Sequence, residues 1–261
     1  MRIALGIEYD GAGYCGWQTQ TSGRAVQAAV DDALSTIADE AITSQCAGRT
    51  DAGVHACCQV AHFDTGAVRD LRAWTLGVNS HLPRDIAVRW AQPVPDDFHA
   101  RFSAESRGYA YVISNKRTRP GLWHNRVCWQ YRPLDVDRMN AAAAHLLGEH
   151  DFSAFRAAGC QARHPVRTLL RLELARHGDI VLLAIEANAF LQHMVRNIAG
   201  VLMEIGAGER DPAWAREVLE GRDRRRGGVT AAAGGLYFLH ARYPARFGLP
   251  DALTELPFGP C

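Results

Sequence analysis

The apolar positions of the chain change period as it is read from the start. Over Arg2–Tyr9 they alternate, with Ile3, Leu5, Ile7 and Tyr9 on one face, and predict a β-strand. Val26, Val30, Ala33, Leu34 and Ile37 then recur at helical spacing and predict a helix over 25–37. Short strands are expected over 42–46 and 58–63, a helix over 69–79, and a strand over 86–94 ended by prolines 93 and 95. The order β-α-β-β-α-β is that of a split βαβ, or ferredoxin-like, unit.

The second half repeats the order of elements without repeating the sequence. A strand over 107–114 carries Tyr109, Tyr111 and Ile113 on one side, and a helix over 134–147 follows. Strands over 168–175 and 180–187 flank the turn His177-Gly178-Asp179. A helix over 191–205 and a strand over 236–243 complete the set. An additional helix over 212–219 precedes the basic stretch Gly221-Arg222-Asp223-Arg224-Arg225-Arg226. The expected fold is α+β, with two ferredoxin-like (split βαβ, RNP-like) units, residues 1–104 and 105–261. Their sheets are expected to be mainly antiparallel and to meet at a central cleft, where sites commonly lie.

Composition narrows the class. The 261 residues are 48% hydrophobic and 22% charged, which excludes a disordered tail, a collagen-like repeat and a small disulfide scaffold. Lysine plus arginine number 29 against 28 acidic residues, so the net charge of +1 gives no argument for a nucleic-acid partner. Yet Lys116 is the one lysine, and arginine is the cation better suited to forked contacts with phosphate. Seven cysteines form no C-x-x-C pair, and the most apolar stretch, 190–205, is interrupted by His193 and Arg196. A reduced, cytoplasmic protein with no membrane association is the expectation.

Three motifs carry candidate chemistry. Gly11-Ala12-Gly13-Tyr14-Cys15-Gly16 matches the spacing of a dinucleotide-binding turn, but a polar loop follows where that mechanism needs a helix N-terminus. His55, Cys57, Cys58 and His62 look superficially like zinc ligands. On a strand, however, Cys57 and Cys58 point to opposite faces, and Cys58 and His62 lie about 13 Å apart. No metal site is expected. The segment Ala47-Gly48-Arg49-Thr50-Asp51-Ala52-Gly53-Val54-His55 joins two predicted strands and concentrates glycines, a hydroxyl, an arginine and a carboxylate. From the residues alone, Asp51 is either the start of an Asx turn or a nucleophile or base, with Arg49 available for phosphate.

That segment, with Cys46 before it, closely resembles the catalytic loop of the TruA family of tRNA pseudouridine synthases. Further blocks match in the same order along nearly the whole chain. They include Leu5-Gly6-Ile7-Glu8-Tyr9-Asp10-Gly11, Gly16-Trp17-Gln18, Trp74-Thr75-Leu76-Gly77-Val78-Asn79 and Asp97-Phe98-His99-Ala100-Arg101-Phe102. Arg107-Gly108-Tyr109-Ala110-Tyr111 is similar to the strand of the family's active-site tyrosine. Phe190-Leu191-Gln192-His193-Met194-Val195-Arg196-Asn197 is similar to the helix start that supplies its arginine. The stretch Gly227-Gly228-Val229-Thr230 departs from the family pattern.

The resemblance implies isomerisation of uridine to pseudouridine at positions 38, 39 and 40 in the anticodon arm of tRNA, by a homodimer and without cofactor. It makes Asp51 the catalytic aspartate. Tyr109 would stack on the uracil and help remove the proton from its carbon 5, and Arg196 would pair with the aspartate. Arg49 would help extract the base, which must leave its stack before it can react. Arg24, Arg101, Arg107, Arg163 and Arg167 are the expected tRNA-binding cations, together with Arg222, Arg224, Arg225 and Arg226. For Arg196 the residues alone leave a solvated charge opposite an apolar stripe as the alternative. A non-catalytic RNA-binding protein of the same fold and an aspartate hydrolase releasing free uracil are the competing functions.

Overall fold

The alternation of Arg2–Tyr9 builds the strand it predicts, and Ile3, Leu5 and Ile7 are fully buried there. The computed structural model describes residues 1–253 and Leu256, so Cys261 lies outside it. In chain order the strands are β1 (Arg2–Tyr9), β2 (Gln45–Cys46), β3 (His55–Asp64), β4 (Ile86–Val94), β5 (Ser106–Asn115), β6 (Cys128–Gln130), β7 (Gly148–Asp151), β8 (Val166–His177), β9 (Ile180–Ala187) and β10 (Leu236–Arg242). The helices are α1 (Val26–Ala38), α2 (Val78–His81), α3 (Val136–Ala143), α4 (Met194–Gly206) and α5 (Trp214–Gly221). Among the described residues, contacts divide the chain into two units, Met1–Glu105 with 237–253 and Leu256, and Ser106–Leu236. The last strand, β10, lies with all but its first residue in the first unit.

In the first unit β1 pairs antiparallel with both β3 and β4, and β2 pairs antiparallel with β3, giving the order β4-β1-β3-β2. β10 meets β3 in parallel, through Tyr237 opposite His55 and Phe238 opposite Ala56. β2 is shorter than its apolar residues suggest because side chains of α1 take the backbone donors before it. The Ile42 N–H donates to Ser35 Oγ, and Ser44 N–H to Asp31 Oδ1. The helix expected over 69–79 is present as one helical run over 71–81, whose middle, Ala73–Gly77, is π-helical and continues into α2, with Trp74 and Val78 fully buried. Pro93 does not end β4. It sits within that strand opposite Ile3, at an edge where a missing N–H costs no ladder bond.

In the second unit β5 pairs antiparallel with β9, β9 with β8, and β8 with β7, while β6 lies parallel to β5. Asp135 caps α3 by accepting from Arg138 N–H, and Asn140 of α3 clamps Leu174 of β8 through both its amide atoms. β6 and β7 escape the sequence pattern because they are too short to show a period. The sheet pairing is mixed, which corrects the expectation of mainly antiparallel sheets. A strand that reaches its neighbour only after a long connection, as β10 does, is released from the direction a hairpin imposes. No helix among the described residues is long and apolar enough to cross a membrane.

Beside β3 the first unit holds an aromatic cluster. Phe98 is fully buried and meets His62, Tyr243 and Phe247 with ring centroids 5.1–5.9 Å apart. His62 Nδ1 accepts the Ala100 N–H at 3.2 Å. Burial lowers its pKa from 6.5 to about 4, helped by His99 and Arg2. The fold thus favours the neutral ring, and its contribution is complete above pH 6.5 and lost progressively as pH falls toward 4. In His62→Asn the amide oxygen can still accept from Ala100, but nothing titrates. The denaturation midpoint of that variant should fall less between pH 6.5 and pH 4 than that of the wild type. Parallel slopes for the two proteins would show that His62 is not a source of acid sensitivity.

Candidate active site

The loop between β2 and β3 is held from three sides. The Tyr9 hydroxyl and Thr50 Oγ1 share a buried hydrogen bond of 2.7 Å. Gln59, fully buried between Cys58 and Val60 of β3, donates to the Gly48 carbonyl at 2.7 Å. The third hold comes from the glycine-rich segment after β1. Gly16 and Asp51 form an antiparallel bridge, the Trp17 N–H donates to the Thr50 carbonyl, and the Gly53 N–H donates to the Tyr14 carbonyl. The residues that mimic a dinucleotide motif are therefore a brace. They open with a 3-10 turn, Gly11–Gly13, and the helix that follows starts only at Val26.

Two of these glycines are required by close approach. A Cβ on Gly11 would lie 1.9 Å from the Val54 carbonyl oxygen. Gly16 has a φ of +106°, and a Cβ there would lie 2.5 Å from the Thr50 carbonyl oxygen. Within the braced loop Thr50 and Val54 are buried, Arg49 is exposed, and Asp51 is half-buried. The Val54 N–H donates to the Asp51 carbonyl, so a turn closes on Asp51 through its backbone. Burial pushes the Cys46 thiol up to about 12, with Arg49 opposing, so the thiol stays protonated at neutral pH. Asp51 is the one carboxylate of the loop.

The cysteine and histidine pattern on β3 disperses. His55 stacks on Tyr237 and accepts the Gly11 N–H, while His62 faces Ala100 at the far end of the strand. Burial pushes the Cys57 thiol up to about 12 and raises that of Cys58.

The second unit positions Tyr109 and Arg196. Tyr109 lies on β5 opposite Ile185, is buried, and meets the ring of Phe190 edge-on at 5.1 Å. Tyr111, on the same side of the strand, donates its hydroxyl to the Ala232 carbonyl. Arg196, in the first turn of α4, is not a solvated charge. It is half-buried, and its Nε donates to the Ala231 carbonyl at 2.8 Å while the Ala231 N–H donates to the Arg196 carbonyl. Gly200 lets this segment approach, since a Cβ there would lie 1.9 Å from the Val229 carbonyl oxygen.

The other expected arginines diverge. Arg24, Arg101 and Arg163 are exposed, with Arg24 stacked on Tyr14 and Arg101 over Phe102. Arg107 and Arg167 are buried and donate to carbonyls, Arg107 to Asn188 and Arg167 to His164 and Val166. The basic run is not one uniform surface. Arg222 lies 3.6 Å from Asp151, and Arg225 forks onto Asp223, holding that carboxyl down at about 2. Arg224 turns inward to Asn197 and Thr230. Sequence reasoning missed Tyr9, Gln59 and Asn197. The available signal was a polar group in an apolar run, Gln59 between Cys58 and Val60 and Asn197 before Ile198.

The brace can be tested at its narrowest point. Gly16→Ala combines a strained φ with contact against the Thr50 carbonyl and should cost about 2–4 kcal/mol in chemical denaturation. Gly13→Ala is the control. Its Cβ would meet nothing nearer than Arg24 Nη1 at 3.9 Å, so it should cost less than about 1 kcal/mol. Equal losses would mean that the glycines do not brace the loop.

A model of the tRNA pseudouridine synthase family matches residues 6–103 and 142–244. The tRNA pseudouridine synthase A of Thiobacillus denitrificans is 57% identical over 258 residues, covering 99% of each chain. That of Alcanivorax borkumensis is 55% identical over 260 residues, covering 99% of this chain and 96% of its own. That of Coxiella burnetii is 53% identical over 259 residues, covering 99% and 98%. With a family match on both sides of the chain and relatives this similar end to end, the chain belongs to the tRNA pseudouridine synthase family.

Proposed function

We propose that this protein converts uridine to pseudouridine at positions 38, 39 and 40 in the anticodon arm of tRNA, with Asp51 as the catalytic carboxylate. One observation carries the assignment of the residue. The loop of Asp51 is braced by Tyr9, Gln59 and Gly16, yet Asp51 itself is left half-buried while the cysteine beside the loop is inert. A rigid loop presenting one carboxylate suits a reaction whose barrier falls when the reacting groups are held in place.

The reaction is an isomerisation, so atoms balance within the substrate. The bond from the ribose carbon 1′ to uracil N1 breaks, the base turns, and a bond to carbon 5 forms. Carbon 5 loses a proton and N1 gains one. The carboxylate of Asp51 attacks the ribose or the uracil, or stabilises the charge that develops as the glycosidic bond breaks. Tyr109 provides a ring for the uracil, and its hydroxyl serves the proton at carbon 5. Arg196 supplies positive charge to the reacting carboxylate. Arg49, exposed on the same loop as Asp51, enters the space that the extracted base vacates.

Arg24, Arg101 and Arg107 contribute to tRNA binding, the first two from exposed positions. The order β4-β1-β3-β2 supports a ferredoxin-like origin for the first unit, and the element order of the second supports the same reading there. The protein acts as a cytoplasmic homodimer and draws on no cofactor.

The test incubates the protein with unmodified tRNA and no additive, then maps pseudouridine by carbodiimide-dependent primer-extension stops. Stops at positions 38–40 are expected. Asp51→Asn should abolish them while the circular dichroism spectrum and melting temperature stay near wild type, because the braces reach the loop through Thr50, Gly48 and the backbone. Free uracil in place of stops would identify a hydrolase. Full turnover by Asp51→Asn would remove the residue from the chemistry.

A further inference from the structure

The basic run after α5 contains one member that turns inward. Arg224 is half-buried, and its Nη2 donates to Asn197 Oδ1 at 3.0 Å and to Thr230 Oγ1 at 2.9 Å. Thr230 Oγ1 donates in turn to Asn197 Oδ1 at 2.7 Å. The other end of the Asn197 amide donates to the Phe155 carbonyl at 2.7 Å, and Asn197 is 1% exposed. Every atom of this buried amide is used, so its orientation is determined. No carboxylate takes part. Arg224 reaches neutral acceptors, which is a poor arrangement for balancing charge and a good one for fixing direction.

What the network fixes is the segment that receives Arg196. Thr230 adjoins Ala231, and Ala231 bonds Arg196 twice, backbone to backbone and carbonyl to Nε. Gly200 admits that segment against α4, since a Cβ there would lie 1.9 Å from the Val229 carbonyl oxygen and 3.7 Å from the Ala231 nitrogen. The Nε bond to Ala231 is a direct constraint on the plane of the Arg196 guanidinium. Whatever moves Ala231 therefore turns the remaining nitrogens of that fork.

We propose that Arg224 is a positioning residue for Arg196, acting through Asn197, Thr230 and Ala231, and is not a tRNA contact. The proposal rests on the reading of Arg196 as a participant in the reaction. A phosphate contact needs charge, and a positioning residue needs the planar fork. Arg224→Lys separates the two, because it keeps the charge and loses the geometry.

The experiment measures the single-turnover rate at saturating tRNA, the tRNA dissociation constant by filter binding, and the melting temperature. The proteins compared are the wild type, Arg224→Lys, Arg224→Gln, Thr230→Val, Thr230→Ser and Arg196→Met. Arg224→Lys and Arg224→Gln should lose about 10- to 100-fold in saturated rate, the scale of a displacement near 1 Å in an active site. Their dissociation constants should stay within about threefold, since no phosphate contact is lost. Thr230→Val should lose about tenfold, and Thr230→Ser, which restores the hydroxyl, should recover the rate. Adding Arg224→Lys to Arg196→Met should cost nothing further, because nothing remains to be positioned.

A weakened dissociation constant with an unchanged saturated rate for Arg224→Gln would make Arg224 a tRNA contact and overturn the proposal. So would a lowered melting temperature with a wild-type rate, or full additivity in the double variant. If the Arg224 variants do not fold, the Thr230 pair decides alone, and a wild-type rate for Thr230→Val overturns the proposal. Wild-type turnover by Arg196→Met would instead overturn the role of Arg196, and this proposal with it. A slow Arg196→Met beside fast Arg224 and Thr230 variants overturns this proposal only.

Discussion

The first unit depends on the contact between two loops that leave neighbouring strands. The segment after β1 and the segment before β3 are each too rich in glycine to hold a shape alone. Together they exchange backbone hydrogen bonds from Trp17 and Gly53 and close the bridge of Gly16 with Asp51. Trp17, 1% exposed, anchors the first segment by burial, and its carbonyl accepts from Gln27 in α1. Glycine here is a condition for the approach of two backbones, and flexibility is lost as they meet. The buried bond of Tyr9 to Thr50 adds about 1 kcal/mol and sets the direction of the residue just before the carboxylate.

The strands were legible wherever one face is apolar over a full span. Arg2–Tyr9 and Ile180–Ala187 end where their alternation ends. The limits of the pattern have definite physical causes. At Ile42 and Ser44 the side chains are buried in alternation, but Ser35 and Asp31 claim the backbone donors, and side-chain capture of this kind leaves no periodic trace. At Pro93 the lost donor mattered only if the strand was internal, which depends on the sheet order and not on the neighbouring residues. The direction of β10 belongs to the same class, since it is set by a partner far away in the chain.

For the candidate site, the segment around Asp51 was legible as a motif, but the reason for its shape was not. Gln59 reads as a polar interruption of a strand, and only the fold shows that it reaches Gly48. Charge runs were the least legible feature. Arg222, Arg224 and Arg225 are nearly adjacent, yet one lies near Asp151, one is bonded into an amide network, and one is neutralised by Asp223. Arginine has enough reach and enough donors to serve all three ends, so its identity alone does not declare which it serves.

The return of the last strand to the first unit has a consequence for synthesis on the ribosome. The chain through residue 105 contains the whole braced loop, but the edge of β3 at His55 and Ala56 has no partner until Tyr237 and Phe238 emerge. Over that interval the nascent protein carries an open strand edge beside the braced loop, and Phe98 lacks the rings of Tyr243 and Phe247. The first unit is thus begun first and finished last. A chain terminated before β10 would leave the first unit incomplete, so premature termination would strike the unit that carries Asp51.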